Sequence, residues 1–154
     1  MSKYSKLLKS VYAVAACFTL LMLAASSYFH LSNPFAFLST VYRYGVVGPR
    51  FSMAVASVIP IASAIAAFFL ATGIFRLGSW VIALALSGSF AAAQLILLIQ
   101  GRVAQCGCFG PAYDEEIGLL SFGRAVALLA CAGIGFMIEL HFSKNNRIHA
   151  EQQL

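Results

Sequence analysis

Charged residues are what this chain has least of: Asp, Glu, Lys and Arg make up 10% of its 154 residues. A soluble domain of this size carries about a quarter, because its surface must be solvated. So little charge cannot cover a water-facing exterior, which excludes an ordinary soluble domain. Nucleic acid is excluded as a partner on related grounds. The 10 Lys and Arg outnumber the 5 Asp and Glu, yet the densest basic series is the spaced Lys3, Lys6 and Lys9. An excess of that kind is what retention of basic residues on the cytoplasmic side of a membrane produces. No cofactor-binding motif is present either.

What the chain has instead is apolar sequence, 61% hydrophobic residues and a mean hydropathy of +0.88. Crossing the hydrocarbon core takes about 20 mostly apolar residues in a helix. Four segments qualify, at about 7–30, 51–72, 79–100 and 121–142, and none has Asp, Glu, Lys or Arg at its middle. They predict one all-α membrane domain over 1–154: four transmembrane helices in an antiparallel bundle, outer loops at 31–50 and 101–120, and a cytoplasmic tail at 143–154. Glu139 and His141 fall near the end of the fourth span, within reach of the headgroups. The Gly73–Gly78 connection is short enough to force a hairpin between the second and third spans. Small residues at Ala62, Ser63, Ala66 and Ala67, at Gly88 and Ala91 to Ala93, and at Gly133 and Gly135 allow close helix approach. Pro60, without an N–H, predicts a kink in the second span.

The basic residues set the orientation. With both termini on one side, that side holds Lys3, Lys6, Lys9, Arg76, Lys144 and Arg147, against Arg43, Arg50, Arg102 and Arg124 on the other. Three of the first set precede the first helix, which usually dominates, so the termini are expected in the cytoplasm. The N-terminal stretch with Ala24-Ala25-Ser26 has the look of a secretory signal, but it is long for one and reads as an uncleaved first helix. The localisation that follows is a bacterial inner membrane, multi-pass, with the 101–120 loop in the periplasm, where disulfides persist.

The first outer segment begins Asn33-Pro34, an N-cap and a first-turn proline that predict a short helix. Phe35, Leu38, Val41 and Tyr42 then recur at helical spacing. They read as an interfacial helix in the aromatic belt, or alternatively as a lid over the cysteine loop or one wall of a site for an apolar aromatic molecule such as a quinone, built from Phe35, Leu38 and Tyr42.

The second outer segment carries the chemistry-bearing residues, Arg102, then Cys106-Gly107-Cys108-Phe109-Gly110. Cα atoms two residues apart lie at most about 7 Å from each other, and a disulfide needs about 4.4–6.8 Å. A bridge across Gly107 is therefore possible if the backbone bends, which glycine tolerates. Such a ring is strained, and a strained, exposed disulfide is readily exchanged. The pair reads first as a redox-active dithiol/disulfide. A static staple is the second reading. A metal site, Cu(I) or Zn on thiolates, is the third, and it needs further ligands; His30 is the one histidine on the outer side. Arg102 would favour a nearby thiolate or anchor the interface. Cys17 and Cys131 lie inside spans at similar depth and read as small apolar residues. Gln94, in the third span, reads as an interhelical hydrogen-bonder.

The order of these features, with the central Pro60, Gly101-Arg102, Cys106-Gly-Cys-Phe-Gly110 and a last helix led by Arg124, resembles the MauE group of DoxX-like membrane proteins over about residues 7–142. The resemblance implies a four-helix inner-membrane protein associated with thiol redox. It also implies maturation of a disulfide-rich periplasmic dehydrogenase subunit of the methylamine-utilisation type, alongside a thioredoxin-like partner. Cys106 and Cys108 carry over as the reactive pair; Gly107, Phe109, Gly110, Arg124 and Pro60 carry over as its frame. Two positions depart from the group. Ser63 stands where many members have glutamate, and Ala125 where Asn or Asp is common, so polar chemistry at those two places is altered here.

The resulting expectation is a thiol:disulfide oxidoreductase whose partners are the lipid bilayer and a periplasmic thioredoxin-fold protein or cysteine-containing client. A quinone as electron acceptor enters by analogy with other small four-helix thiol oxidoreductases. A non-catalytic accessory or assembly subunit, or metal delivery, are the alternatives. The orientation is checked directly. A membrane-impermeant thiol reagent applied to intact cells should label Cys106 or Cys108 after reduction and leave Cys17 unlabelled; labelling only after lysis would reverse the topology.

Overall fold

The computed structural model describes residues 3–45, 48–101 and 118–151. They form five helices: α1 (Lys3–Ser32), α2 (Pro34–Tyr44), α3 (Pro49–Thr72), α4 (Arg76–Ile99) and α5 (Leu119–Glu151). At 1.5 Å per residue, even the 24-residue α3 and α4 reach about 36 Å, enough to cross a hydrocarbon core about 30 Å thick. Four of the five, all but α2, are long and apolar enough to span a membrane. The helices outrun the apolar runs at several ends. In particular, α5 continues past residue 142 to Glu151, where a tail was expected. Polar residues propagate a helix once its apolar part has nucleated it, since each added residue gains a hydrogen bond.

Local chemistry sets the other boundaries. Asn33 precedes α2 but makes no side-chain cap; the Phe37 N–H donates to the Asn33 carbonyl at 3.2 Å, and Pro34 fills the first turn, where no N–H is needed. Gly45 ends α2 and Gly73 ends α3, each with positive φ (61° and 70°), the conformation that turns a chain out of a helix. Only Gly73, Ile74 and Phe75 then separate α3 from α4, which makes the expected antiparallel hairpin. Pro60 sits inside α3, which is continuous through it.

Packing runs in a closed ring, α1 against α3, α3 against α4, α4 against α5 and α5 against α1, so every neighbour is antiparallel. The short α2 packs on α3 and touches α1. It lies at the end of the bundle where α1 and α4 finish, called here the α2 end; both described chain ends lie at the opposite, termini end.

The ring is small and polar inside and large and apolar outside. The buried stripe of α4 runs Ser79, Trp80, Ala83, Leu86, Ser87, Ala91, Gln94, Leu97, steps of one, three and four along one helix face. That of α1 runs Ala15, Thr19, Leu23, Ser27, His30. Large side chains such as Val14, Phe51, Ile99 and Leu119 point outward, where lipid solvates them as well as a core would. Inside, several hydroxyls are satisfied on their own helices: Ser63 donates to the Ile59 carbonyl at 2.8 Å and Ser87 to that of Ala83 at 2.7 Å, whereas Thr19 Oγ1 is buried with no partner among the described residues. One reaches across, Ser27 donating to the Pro60 carbonyl at 3.1 Å and joining α1 to α3.

A close contact between two long helices lies toward the termini end. Trp80 is fully buried, and a Cβ placed on Gly135 of α5 would overlap its indole. Trp80 Nε1 donates to the Tyr12 hydroxyl oxygen at 3.3 Å, and that hydroxyl donates to Glu139 Oε2 at 2.7 Å. Edge contact between the Tyr12 and Trp80 rings, 5.8 Å between centroids, adds to the hold. By contrast, a Cβ on Gly133 would meet nothing within 4 Å, so that glycine is no contact point.

Gly135→Ala should therefore destabilise the bundle by about 1–3 kcal/mol, the usual cost of overpacking. Replacing Trp80 with Phe in the same chain should recover part of that loss. Thermal unfolding in detergent micelles measures both; strictly additive losses would refute the steric account.

Candidate functional site at the α2 end

The nominated residues Arg102, Cys106, Gly107, Cys108, Phe109 and Gly110 lie outside the described residues. Their attachment points are described. Helix α4 ends at Ile99, and Gly101, with φ of 61°, turns the chain away. The chain resumes at Gly118, whose N–H donates to Ser121 Oγ at 3.2 Å in the first turn of α5. Both points are at the α2 end. Arg124 follows one turn later, on an exposed side of α5.

At the same end, α2, α3 and α4 enclose a partly open cavity of about 570 Å³. Phe37, Thr40, Val41 and Tyr44 line it from α2, Val55, Val58 and Ile59 from α3, and Phe90, Ala93 and Ile96 from α4. The surface is almost entirely carbon, so it suits an apolar occupant.

The face of α2 that builds this cavity shares only Val41 with the series that its sequence spacing picks out. Phe37 and Val41 are its buried residues. Phe35 is 85% exposed, Tyr42 is exposed and Leu38 half-buried, and none of the three lines the cavity. An 11-residue helix rich in apolar residues on all sides offers several stripes of equal spacing. The angle at which α2 meets α3 decides which one is buried.

Phe37 does double duty. Its ring stacks on the imidazole of His30, with 3.8 Å between centroids and 25° between planes. His30 is 2% exposed, and its Nε2 has no hydrogen-bond partner among the described residues. Burying such a group unpaired costs about 1–3 kcal/mol. Sequence spacing could not have disclosed the stack. His30 and Phe37 sit on different helices, and their approach depends on the turn at Ser32 to Pro34.

Of the other nominated residues, Cys17 is exposed and Cys131 half-buried, both as free thiols. Among the described residues, no group of three His, Cys, Asp or Glu side chains could hold a metal. Ser63 and Ala125 are both buried in the bundle, and Gln94 is buried in the α4 stripe.

Comparison with known proteins bears on this arrangement. A family model described as methylamine utilisation protein MauE matches residues 8–138. The chain belongs to the MauE family. The match runs from the first turns of α1 to Ile138 of α5, and so takes in every helix, the cavity and the cysteine segment. No curated protein and no solved structure matches. MauE membership identifies a membrane protein linked to methylamine utilisation, in agreement with the four apolar helices.

If the buried imidazole is a functional group and not a structural one, removing it should leave the MauE-family bundle no less stable. His30→Leu keeps an apolar body against Phe37 and deletes the unpaired nitrogen, so the melting temperature in detergent should hold or rise. A loss of 2 kcal/mol or more would show that the nitrogen is engaged in holding the fold.

Proposed function

We propose that this MauE-family chain is a thiol:disulfide oxidoreductase of a bacterial inner membrane, with Cys106 and Cys108 as its exchanging pair on the periplasmic side. One observation carries the reading: two cysteines separated by a single glycine occur in the connection between α4 and α5 of a chain linked by its family to methylamine utilisation. Gly101 is five residues before Cys106, so Cys106 is tethered within about 18 Å of Gly101.

The exchange is written with the pair oxidised. A thiolate on the partner attacks one sulfur of the Cys106–Cys108 disulfide, forms a mixed disulfide and releases the other sulfur as a thiolate. The partner's second thiol, deprotonated, attacks the mixed disulfide and leaves as the partner disulfide. Two electrons have moved to Cys106 and Cys108, which take up two protons to become thiols. Glycine between the cysteines supports the reactivity, because a ring that small is strained and its opening is favoured. The partner is a periplasmic thioredoxin-fold protein or a cysteine-containing client. The methylamine link supports a client of the methylamine-dehydrogenase type, whose disulfides the exchange would help to mature.

The test is capture of the mixed disulfide. In cells, a Cys108→Ser or Cys106→Ser variant should accumulate a reducible adduct with a periplasmic protein, and the double variant should not. Client disulfide content should fall severalfold in the double variant while the chain still inserts at normal levels. If no adduct forms on either single variant and both thiols stay reduced, exchange is refuted; lost complex assembly without a redox defect would then assign an accessory, clamping role to the loop.

A further inference from the structure

The cavity under α2 is lined by carbon, and its edge residues Val58 and Ile96 are exposed on the outward apolar surface of α3 and α4. An occupant therefore enters sideways from the bilayer. Phe37, Tyr44 and Phe90 turn aromatic surface toward it, a lining that suits a flat ring better than a flexible chain. A volume of about 570 Å³ lies in the usual range for small-molecule sites, roughly 300–1,000 Å³.

A second observation points to a polar edge on that ring. Phe37 lines the cavity and also stacks on His30, whose Nε2 is buried with no partner among the described residues. His30 is not itself part of the cavity lining; it stands against Phe37, so its contact with an occupant requires the Phe37 side chain to move aside. The occupant so defined is lipid-soluble, flat and able to hydrogen-bond at its edge.

We infer that this cavity binds the head ring of a lipid-soluble quinone, with His30 as the hydrogen-bonding group for a ring carbonyl. Its purpose, though not its geometry, rests on the thiol-exchange reading, since a pair reduced by its partner must be reoxidised. At the cysteines two S–H bonds break and one S–S bond forms. At the quinone the two carbonyl oxygens take up two electrons and two protons and become hydroxyls. The hydroquinone leaves by the same lateral opening.

The experiment is photolabelling of the full chain in phospholipid nanodiscs with an azido-ubiquinone, followed by peptide mapping. Label should concentrate on α2 and on residues 89–96 of α4. Excess decylubiquinone should suppress it at least tenfold, and excess phospholipid should not. Ala93→Phe and, independently, Val55→Phe fill the cavity and should each reduce labelling at least fivefold while the protein elutes as the parent does. His30→Leu should weaken competition by decylubiquinone but not by a hydrocarbon analogue lacking the carbonyls. Label spread evenly over the outward helix faces, or displaced equally by phospholipid, overturns the proposal and makes the cavity a lipid groove. So does labelling indifferent to both cavity-filling variants. The Cys106→Ser/Cys108→Ser chain separates the two readings: retained, competable labelling there upholds the quinone site even where no thiol adduct can be trapped.

Discussion

Trp80 against Gly135 is the contact on which the rest of the bundle depends. Helices in lipid gain nothing by hiding apolar surface from one another, because the surrounding tails are equally apolar. What holds them is close packing, and it needs a shape that fits. Here one large buried ring from α4 occupies the space that a missing side chain leaves on α5. The same ring belongs to a core cluster with Leu23 of α1 and with Ala66 and Ala67 of α3, so it touches the packing of all four long helices. Its N–H meets Tyr12, which passes the link to Glu139. A carboxylate near the edge of a membrane is tolerable when it is so engaged, and it becomes a tie between α1 and α5.

The two ends of the bundle are built differently. Toward the termini end, the interior is filled by rings and closed by the Tyr12–Glu139 bond. Toward the α2 end, the long helices leave space, α2 packs mainly on α3, and Phe37 both lines a cavity and stacks on a buried imidazole. Proteins usually hold fixed contacts where stability is wanted and leave strain, space or unpaired groups where something must bind. That the cysteine-bearing connection is anchored at the second end, between Gly101 and Gly118, is what makes the cavity relevant to it.

Much of the fold was legible beforehand because membrane spans announce themselves by length and by the absence of charge. The hairpin at Gly73 and the short helix after Pro34 were also readable, since each depends on one residue's backbone preference. Less legible was which small residues mattered. Gly133 and Gly135 look alike in sequence, yet only Gly135 faces a neighbour. Likewise, Phe35 and Phe37 have equal claim to be buried, and the structure buries Phe37. Helical spacing gives the stripes available to a helix; the neighbour selects one of them.

The amino-acid sequence by itself determined that this chain has four spans, where most of its helices begin and end (the long extension of α5 past residue 142 excepted), and that its two loop cysteines lie between the last two spans. Those properties are local: they follow from composition, from proline and glycine, and from the order of residues along the chain. The tertiary structure alone decided that Trp80 would rest on Gly135, that Ser27 would bond to Pro60, and that His30 would stack on Phe37, a ring that lines a cavity. Each of these joins residues on different helices, so it depends on the angle and depth at which the helices meet, which no spacing within a single helix encodes.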